Sequence, residues 1–214
     1  MGKRARMIGA VAVILLAVLS YFGWQFTSRS AYESAQYKVM QSEGDCEVRD
    51  YPDLMLARTS MRDISQGDDG SFMRLFRFIS GDNQGKQQIA MTVPVFMERD
   101  SQEESAHMGF VVPRDVTANG IPQPLHEEVE ISQRPGGRFA VIRFSGPLND
   151  STRREQERLL RDWMSSRNLR GSDNTETAGY DPPWTPNPFR RNEILIKLVD
   201  ADIAKNRAPV ANKK

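Results

Sequence analysis

The apolar residues of this chain form one long uncharged run, several short alternating runs and two stretches with helical spacing. The long run covers residues 7–26, and no charged side chain occurs in it. The short runs have the length and the residue types of β-strands, and turn residues separate them. The two helical stretches place apolar residues three or four positions apart, which predicts one apolar face on each helix. Together the patterns predict an N-terminal apolar segment followed by an α+β domain.

Beyond residue 36 the predicted elements repeat one order, strand–strand–helix–strand–strand. The first half comprises strands at residues 47–52 and 54–61, a helix at 71–81, and strands at 89–98 and 107–113. The second half comprises strands at residues 128–135 and 138–146, a helix at 150–168, and strands beginning at 176 and 192. Short loops between neighbours favour antiparallel pairing, and pairing the two halves would cover their exposed sheet edges. We expect one α+β domain, either a curved sheet or a distorted eight-stranded antiparallel barrel, with two flanking helices.

The apolar run at residues 7–26 has the length of a transmembrane helix, since about twenty helical residues span roughly 30 Å of hydrocarbon. Lys3, Arg4 and Arg6 precede the run, so the positive-inside rule predicts a cytoplasmic N-terminus and an exported domain. A cleaved signal peptide is the alternative, but the bulky residues at the end of the run, Trp24 among them, leave no clear cleavage site. The predicted organisation is an anchor or signal peptide at 1–29, a polar tether at 30–36, the domain at 37–200 and a polar tail at 201–214.

Composition excludes several classes of site. The formal net charge is +1 and the basic residues are dispersed, so neither general polyanion affinity nor a nucleic-acid-binding stripe is indicated. Cys46 is the single cysteine, which excludes an intrachain disulfide and a cysteine-cluster metal site. Two histidines, His107 and His126, are too few for a histidine-rich metal centre. Because no nucleophile elbow, phosphate-binding glycine loop or zinc-binding helix occurs in the sequence, we expect a binding protein rather than an enzyme.

A proline-rich loop, GYDPPWTPNPFRRNE at residues 179–193, lies between the last two predicted strands. Its prolines fix the backbone and cannot donate hydrogen bonds to a sheet, so the loop has a stiff shape. Tyr180 and Trp184 could fill the mouth of a barrel or stack on a flat ligand. Arg190 could contact a ligand directly; alternatively, the arginines and Glu193 pair with each other and hold the loop.

Four segments resemble the SOUL haem-binding protein family in their order and spacing. They are YKVMQSEGDCEVRDYP, FMRLFRFISGDNQGKQQIAMTVPV, HMGFVVP and AGYDPPWTPNPFRRNEILIKL. IAMTVPV and AGYDPPW with the following RRNE are the most specific parts, and the resemblance covers about residues 37–200. It implies a pseudo-twofold barrel of eight strands with two flanking helices. It also implies binding of haem or other tetrapyrroles on an open apolar surface, without a known turnover.

The resemblance places the tetrapyrrole against the first helix of the domain. Matched by motif, Phe72, Leu75, Phe76 and Ile79 would form an apolar wall, and Arg77 would pair with a haem propionate. A flat apolar ligand with two carboxylates at its edge requires this combination of apolar area and a basic group. The alternative is that the stripe with i, i+3, i+4, i+7 spacing faces the core. With the loop residues included, the predicted haem site consists of Phe72, Leu75, Phe76, Arg77, Ile79, Tyr180, Trp184 and Arg190.

The sequence shows no strong axial ligand for haem iron. Some members of the family carry a histidine after the first strand of the domain, but the matching residue here is Asp50, a poor haem ligand. His107 and His126 could equally be surface residues, and buried methionines such as Met91 and Met108 more often fill gaps in a core. We therefore expect non-covalent, weak and reversible haem binding that tolerates metal-free porphyrin.

Two functional hypotheses follow. The first is a membrane-tethered carrier, buffer or scavenger of tetrapyrroles, anchored in a bacterial-type inner membrane with its domain in the periplasm, or exported after cleavage. The second is a non-haem module that binds another apolar small molecule or a partner protein in the same groove. Haem breakdown would need an iron ligand or an acid that the sequence does not supply. We expect the membrane contact to be made by residues 7–26, and we expect no nucleic-acid partner.

Overall fold

The computed structural model describes residues 13–14, 32–61, 69–99, 106–182 and 185–199. Within these ranges the helices are α1 (Ser71–Ile79), α2 (Arg114–Asn119) and α3 (Asp150–Ser166), and a short 3₁₀ turn covers Asn187–Phe189. The strands are β1 (Glu33–Ser34), β2 (Lys38–Glu43), β3 (Cys46–Tyr51), β4 (Leu54–Met61), β5 (Thr92–Val93), β6 (Val95–Arg99), β7 (Ala106–Val111), β8 (Val129–Arg134), β9 (Gly137–Ser145), β10 (Glu176–Gly179) and β11 (Arg191–Lys197). Both predicted helices and all the predicted strands are therefore present, while α2, β1 and β2 have no counterpart in the prediction.

The predicted membrane anchor lies outside the described residues, apart from Val13 and Ile14, which are helical. Among the described residues, no helix has the length and the apolar character needed to cross a membrane. The predicted polar tail at 201–214 also lies outside the described residues. The predicted tether at 30–36 includes a docked segment, because β1 pairs in parallel with β5 and Ala35 is buried.

Nine of the described strands form one sheet in the order β2–β3–β9–β11–β10–β6–β7–β4–β8, and all neighbours in it are antiparallel. The sheet is not closed, so the prediction of a barrel is wrong. In a closed barrel, β8 would pair with the outer edge of β3. Here β2 pairs with that edge instead, so β8 cannot close the sheet. Every residue of β2 is exposed, so the strand lacks the alternation of buried and polar residues by which a strand is predicted.

The order of the strands reflects the two repeats. Read outward from the contact between β6 and β10, each side of the sheet runs through equivalent strands of the two halves. The first strand of each half pairs with the second strand of the other half, β3 with β9 and β8 with β4. The halves are therefore interlocked, and each half covers part of the other's sheet edge, while β8 stays at one edge of the open sheet.

Helices α1 and α3 cover the same face of the sheet. Leu75 of α1 and Leu160 of α3 are fully buried in two apolar clusters, one under each helix. The register Ile194–Thr177–Met97 runs straight across β11, β10 and β6, which places the two clusters on one face. A third cluster covers the other face. The helices thus pack side by side on one layer rather than enclosing the sheet.

Pro94 divides the predicted strand at 89–98 into two parts. Before it, β5 pairs only with β1; after it, β6 pairs with β7 and β10 in the main sheet. Proline cannot donate a hydrogen bond to a ladder, so a strand interruption is expected at this residue. The division places Val93 of β5 in the lining of the site described below.

Candidate functional site

An open hollow of about 370 Å³ lies between the first two turns of α1, the strands around Pro94 and the end of β10. Most of its lining is apolar or aromatic. The lining residues are Tyr32, Phe72, Met73, Phe76, Met91, Val93, Val95, Gly179, Tyr180, Asp181 and Pro182. Of the sequence-predicted site residues, the hollow brings together Phe72, Phe76 and Tyr180.

Phe72 and Phe76 form an aromatic ledge along one side of the hollow. They are one helical turn apart, and their rings stack with centroids 6.1 Å apart and planes 13° apart. Phe72 also meets the core residue Phe110 edge-on, with a centroid distance of 5.2 Å, which fixes the inner end of the ledge. Phe76 is 42% exposed and the neighbouring Met73 is 50% exposed. A large apolar surface thus remains uncovered beside the hollow, and such surfaces commonly mark binding sites.

Leu75 and Ile79 do not line the hollow. Both side chains are buried in the cluster between α1 and the sheet. With 3.6 residues per turn, Phe76 lies about 60° further round the helix than Ile79 and away from the buried Phe78. Leu75 and Ile79 therefore face the core, as the alternative prediction has it, and do not form an apolar wall of the haem site.

Arg77 is exposed on α1 and lines a separate shallow depression with Asp82 and His126. On the helix it is the i+4 neighbour of Met73, so its flexible side chain starts close to the rim of the hollow. Arg74, in contrast, is held by Thr59 Oγ1 at 3.0 Å and by the carbonyl oxygen of Ser60 at 2.6 Å. Arg77 is accordingly the basic residue of α1 that could reach a ligand in the hollow.

Tyr180 forms the back of the hollow and is anchored by a buried carboxylate. Its hydroxyl donates to Glu193 Oε2 at 2.9 Å, and the residue is 5% exposed. Burial, followed by the negative charge of Glu193, raises the pKa of Tyr180 well above its usual value. The guanidinium of Arg191 lies over the Tyr180 ring, 4.1 Å from its centroid. Tyr180 lines the hollow, but its oxygen is engaged and stays protonated.

Glu193 accepts five hydrogen bonds from three side chains, Arg49, Arg191 and Tyr180. It is fully buried, and Arg49 is 1% exposed. Burial alone would raise the pKa of Glu193, but the hydrogen bonds and charges of Arg49 and Arg191 outweigh burial and lower it. One alternative predicted from the sequence was that an arginine and Glu193 of the loop pair with each other, and this is confirmed by Arg191. The second arginine that pairs with Glu193, Arg49 on β3, was not predicted.

The proline-rich loop is held by further internal hydrogen bonds. Arg190 Nε donates to the carbonyl oxygen of Thr185 at 2.7 Å, and the backbone N–H of Arg191 donates to Asp181 Oδ2 at 2.6 Å. Arg190 therefore takes part in holding the loop and does not line the hollow. Trp184, the remaining predicted site residue, lies outside the described residues.

A second, partly buried ion pair lies toward the other end of β10. Arg134 donates to Glu176 Oε2 from Nε at 2.8 Å and from Nη2 at 2.6 Å. The guanidinium is packed against the rings of Phe96 and Phe139, each with its centroid 4.4 Å away. Here burial outweighs Arg134, and the pKa of Glu176 is raised. The pKa values of these two carboxylates, which lie on the same sheet face, therefore shift in opposite directions, because Glu193 has more donors.

The described lining of the hollow offers no histidine or cysteine to a metal ion. His107 lies on β7 beside Glu98, and His126 Nε2 is 3.1 Å from Asp82 Oδ2. Asp50 is exposed on β3, away from the lining. Across the described residues, no group of three or more His, Cys, Asp or Glu side chains could hold a metal. Met91 lines the hollow and would present a thioether, whereas Met108 is buried in the core.

Several lining residues were missed by the sequence prediction. Met73 precedes the stripe residue Phe76 by three positions, so its side of the helix could have been found by extending the stripe. Asp181 and Pro182 directly follow Tyr180 in the proline-rich loop. Tyr32 carries no signal, because it belongs to a polar segment without periodicity.

Comparison with known proteins gives consistent results. The family model described as SOUL heme-binding protein matches residues 32–197. The chain is 25% identical to Heme-binding protein 1 of Mus musculus over 200 residues, which covers 89% of this chain and 98% of that relative. It is 24% identical to Heme-binding protein 1 of Bos taurus over 199 residues, covering 89% and 97%.

Solved structures show the same fold. The crystal structure of the C-terminal domain of EcmrR has a TM-score of 0.54 at 13% identity and covers 76% of this chain and 98% of that one. A hydrolase from Listeria innocua has a TM-score of 0.53 at 9% identity, covering 75% and 94%. At such low identities the likeness concerns the fold alone.

Proposed function

The chain belongs to the SOUL haem-binding protein family, as its motifs predict, and we propose that it binds haem or a related tetrapyrrole, without turnover, in the hollow beside α1. The observation that carries the proposal is the open apolar hollow of about 370 Å³ next to the stacked rings of Phe72 and Phe76. Its volume lies in the usual range of ligand pockets, roughly 300–1,000 Å³. A macrocycle lying on the ledge would cover the exposed parts of Phe76 and Met73, which favours binding.

The site would bind the carboxylates of the ligand better than its iron. Arg77 begins one helical turn from Met73, so a propionate at the rim could pair with its guanidinium. Tyr180 is unsuited as an axial ligand because its hydroxyl donates to Glu193 and its pKa is raised. Apolar contact therefore supplies most of the affinity in this proposal. Binding would be non-covalent, weak and reversible, and metal-free porphyrin would bind about as well as haem.

Titration of the full-length chain with haemin and with protoporphyrin IX, followed at the Soret band, tests the proposal. We expect the two ligands to have similar dissociation constants and to be recovered chemically unchanged. We expect Phe76→Ala to weaken both by roughly tenfold, because it removes about half of the aromatic ledge. Leu159→Ala is the matched control, since Leu159 is a comparably exposed apolar residue (39% against 42%) on α3. Equal effects of the two substitutions, or a spectrum of tight bis-histidine coordination, would contradict the proposed site.

The cellular role that we propose is that of a membrane-tethered carrier, buffer or scavenger. The proposal rests on the apolar run at residues 7–26 and the preceding basic residues, and it puts the domain on the periplasmic side of an inner membrane. In spheroplasts of a bacterial host, we expect the domain to be digested by added protease while remaining with the membrane fraction. Recovery of the domain in the soluble periplasmic fraction would instead favour cleavage, and protection from protease would exclude export.

One observation favours a second candidate function, binding of an uncharged apolar molecule. Among the described residues that line the hollow, Asp181 is the only charged one, and no basic side chain belongs to the lining. Arg77→Ala distinguishes the two candidates. The substitution should weaken protoporphyrin IX several-fold if a propionate pairs with Arg77. It should have no effect if the hollow selects neutral ligands, and octaethylporphyrin, which lacks carboxylates, should then bind more tightly than protoporphyrin IX.

A further inference from the structure

The segment at residues 32–36 separates two clefts of similar size. Tyr32 lines the hollow of about 370 Å³. The next four residues, 33–36, line a second cleft of about 330 Å³ that also includes Leu54 and Arg114. The partner strand β5 is divided in the same way, with Val93 on the hollow and Thr92 on the second cleft. The segment therefore forms a thin wall whose one side is part of the proposed binding site.

Within the described part of the chain, few backbone hydrogen bonds hold this wall in place. β1 has two residue pairs with β5, and the N–H of Ala35 donates to the carbonyl oxygen of Val93 at 2.8 Å. Tyr32 and Ala35 pack against the apolar cluster on the second face of the sheet, while Glu33 and Ser34 are exposed. A short strand with so few bonds opens at low free-energy cost, so new contacts on Tyr32 would change its stability measurably.

Tyr32 adds to the aromatic lining of the hollow. Among the described residues, Tyr32, Phe72, Phe76 and Tyr180 place four aromatic side chains around this opening. Aromatic faces suit a flat conjugated ligand, and each stacked or edge-on ring contact adds affinity beyond its buried area. Tyr32 is half-buried, so part of the residue remains to be covered.

We propose that Tyr32 contacts the bound tetrapyrrole and that ligand binding thereby stabilises the docked state of residues 32–36. The inference rests on the proposed function and adds to it a residue from outside the predicted 37–200 domain. Because linkage is reciprocal, whatever holds the segment against β5 strengthens ligand binding, and the ligand strengthens docking by the same factor. Ligand binding in the hollow thereby changes the stability of the docked segment at residues 32–36, which precedes the predicted domain at 37–200.

The first test compares protoporphyrin IX binding by the full-length chain and by single variants in a mild detergent. Tyr32→Ala should weaken binding by about 3–10-fold, the equivalent of one aromatic contact. Tyr32→Phe keeps the ring and should bind as the parent chain does. Glu33→Ala is the control from the other side of the wall and should also leave affinity unchanged. Equal melting temperatures of the variants without ligand exclude a folding defect.

The second test follows hydrogen–deuterium exchange with and without protoporphyrin IX. Peptides that contain Ala35 should exchange more slowly with ligand, because the Ala35 N–H bonds to Val93 in the docked segment. Peptides of the exposed strand β2 should not change. In Tyr32→Ala the slowing should be lost, even at ligand concentrations that saturate the variant.

The outcomes separate this inference from the proposed function. If protoporphyrin IX binds and Phe76→Ala weakens it, but Tyr32→Ala and exchange at Ala35 show no effect, the proposed function stands and the inference is overturned. If the parent chain binds no porphyrin, both fail. Protection at Ala35 that persists in Tyr32→Ala would also overturn the contact, since the ligand would then act on the segment by another route.

Discussion

Helices α1 and α3 hold equivalent places in the two repeats, yet their exposed sides differ. Their buried sides are alike, since Leu75 and Leu160 are both fully buried. The exposed side of α3 is covered by ion pairs, such as those of Arg158 with Glu155 and Asp162. The exposed side of α1 presents Met73 and Phe76 instead. The fold requires one buried stripe on each helix, and both helices have it. The uncovered apolar ledge is a feature of α1 that α3 lacks.

Exposed leucine on α3 does not weaken the comparison. Leu159 is 39% exposed, but its i−4 and i+3 neighbours, Glu155 and Asp162, are charged. For Phe76 the i−4 and i−3 positions are Phe72 and Met73, so the apolar area is contiguous. A single exposed apolar residue needs no explanation, whereas a contiguous patch beside a hollow indicates a binding surface.

The largest expected effect concerns the buried hydrogen-bond network of Glu193 behind the hollow. Glu193→Gln removes the negative charge between Arg49 and Arg191, and we expect unfolding to become easier by about 3–5 kcal/mol, the usual cost of breaking a buried pair. Arg158→Ala, which removes ion pairs on the surface of α3, should leave stability unchanged within error. Urea unfolding followed by circular dichroism measures both. A similar, small effect of the two variants would show that the buried network is not needed to hold the α1 side.

The buried sides of the two helices should respond equally. Leu75→Ala and Leu160→Ala each leave a cavity in a fully buried position, and we expect each to lower the free energy of unfolding by about 2–5 kcal/mol. Calorimetry of both variants tests the equivalence of the repeats. If one substitution were nearly neutral, the two helices would not contribute equally to the core and the comparison would lose its basis.

A smaller effect on stability, but a large one on binding, is expected when α1 is made to resemble α3. Phe76→Glu places a charge on the ledge; we expect stability to stay within about 0.5 kcal/mol, as for other exposed positions, and protoporphyrin binding to be abolished. The reverse change, Leu159→Phe on α3, should create no binding. Fluorescence titration of both variants provides the measurement, and porphyrin binding by the Phe76→Glu variant would contradict the site.

The smallest expected effect is a dependence on pH. The pKa of Glu193 is lowered in the folded chain from its usual 4.5, so its stabilising contribution is present above about 4.5 and is lost as pH falls through the lowered value. Glu176, with a raised pKa, acts in the opposite direction: its ionised form costs stability at neutral pH, and protonation in acid relieves that cost. The difference between the parent chain and Glu193→Gln isolates Glu193. We expect this difference in unfolding free energy to shrink from pH 7 to pH 3, and a constant difference would refute the assignment.

The fold was largely predictable because its elements carry local signals. The continuous apolar runs of β9 and β11 result from burial on both faces, and the apolar stripe on α1 results from burial on one face. The sequence displays both patterns directly. Closure of the sheet was not predictable in the same way. Whether β3 pairs with β8 or with β2 depends on a fully exposed strand, whose residues contain no sign of a buried face.

The site was predictable only in part. Phe72 and Phe76 belong to the same stripe as Leu75 and Ile79, and the spacing does not tell which members of a stripe face a hollow and which face the core. A rotation of about 60° around the helix separates Phe76 from Ile79, whereas Phe72 lies only about 20° from Ile79, and packing of α1 on the sheet decides which of them is covered. The contact of Arg49 with Glu193 joins residues 144 positions apart, so no local pattern could reveal it.

The position of β11 has a consequence for how the molecule is made. This strand, near the C-terminal end of the described chain, lies in the interior of the sheet between β9 and β10, and it carries Glu193. During synthesis, the earlier strands emerge before the neighbour that completes them exists. Native assembly must therefore wait until almost the whole domain has left the ribosome, and until that moment the chain remains a loosely structured polypeptide.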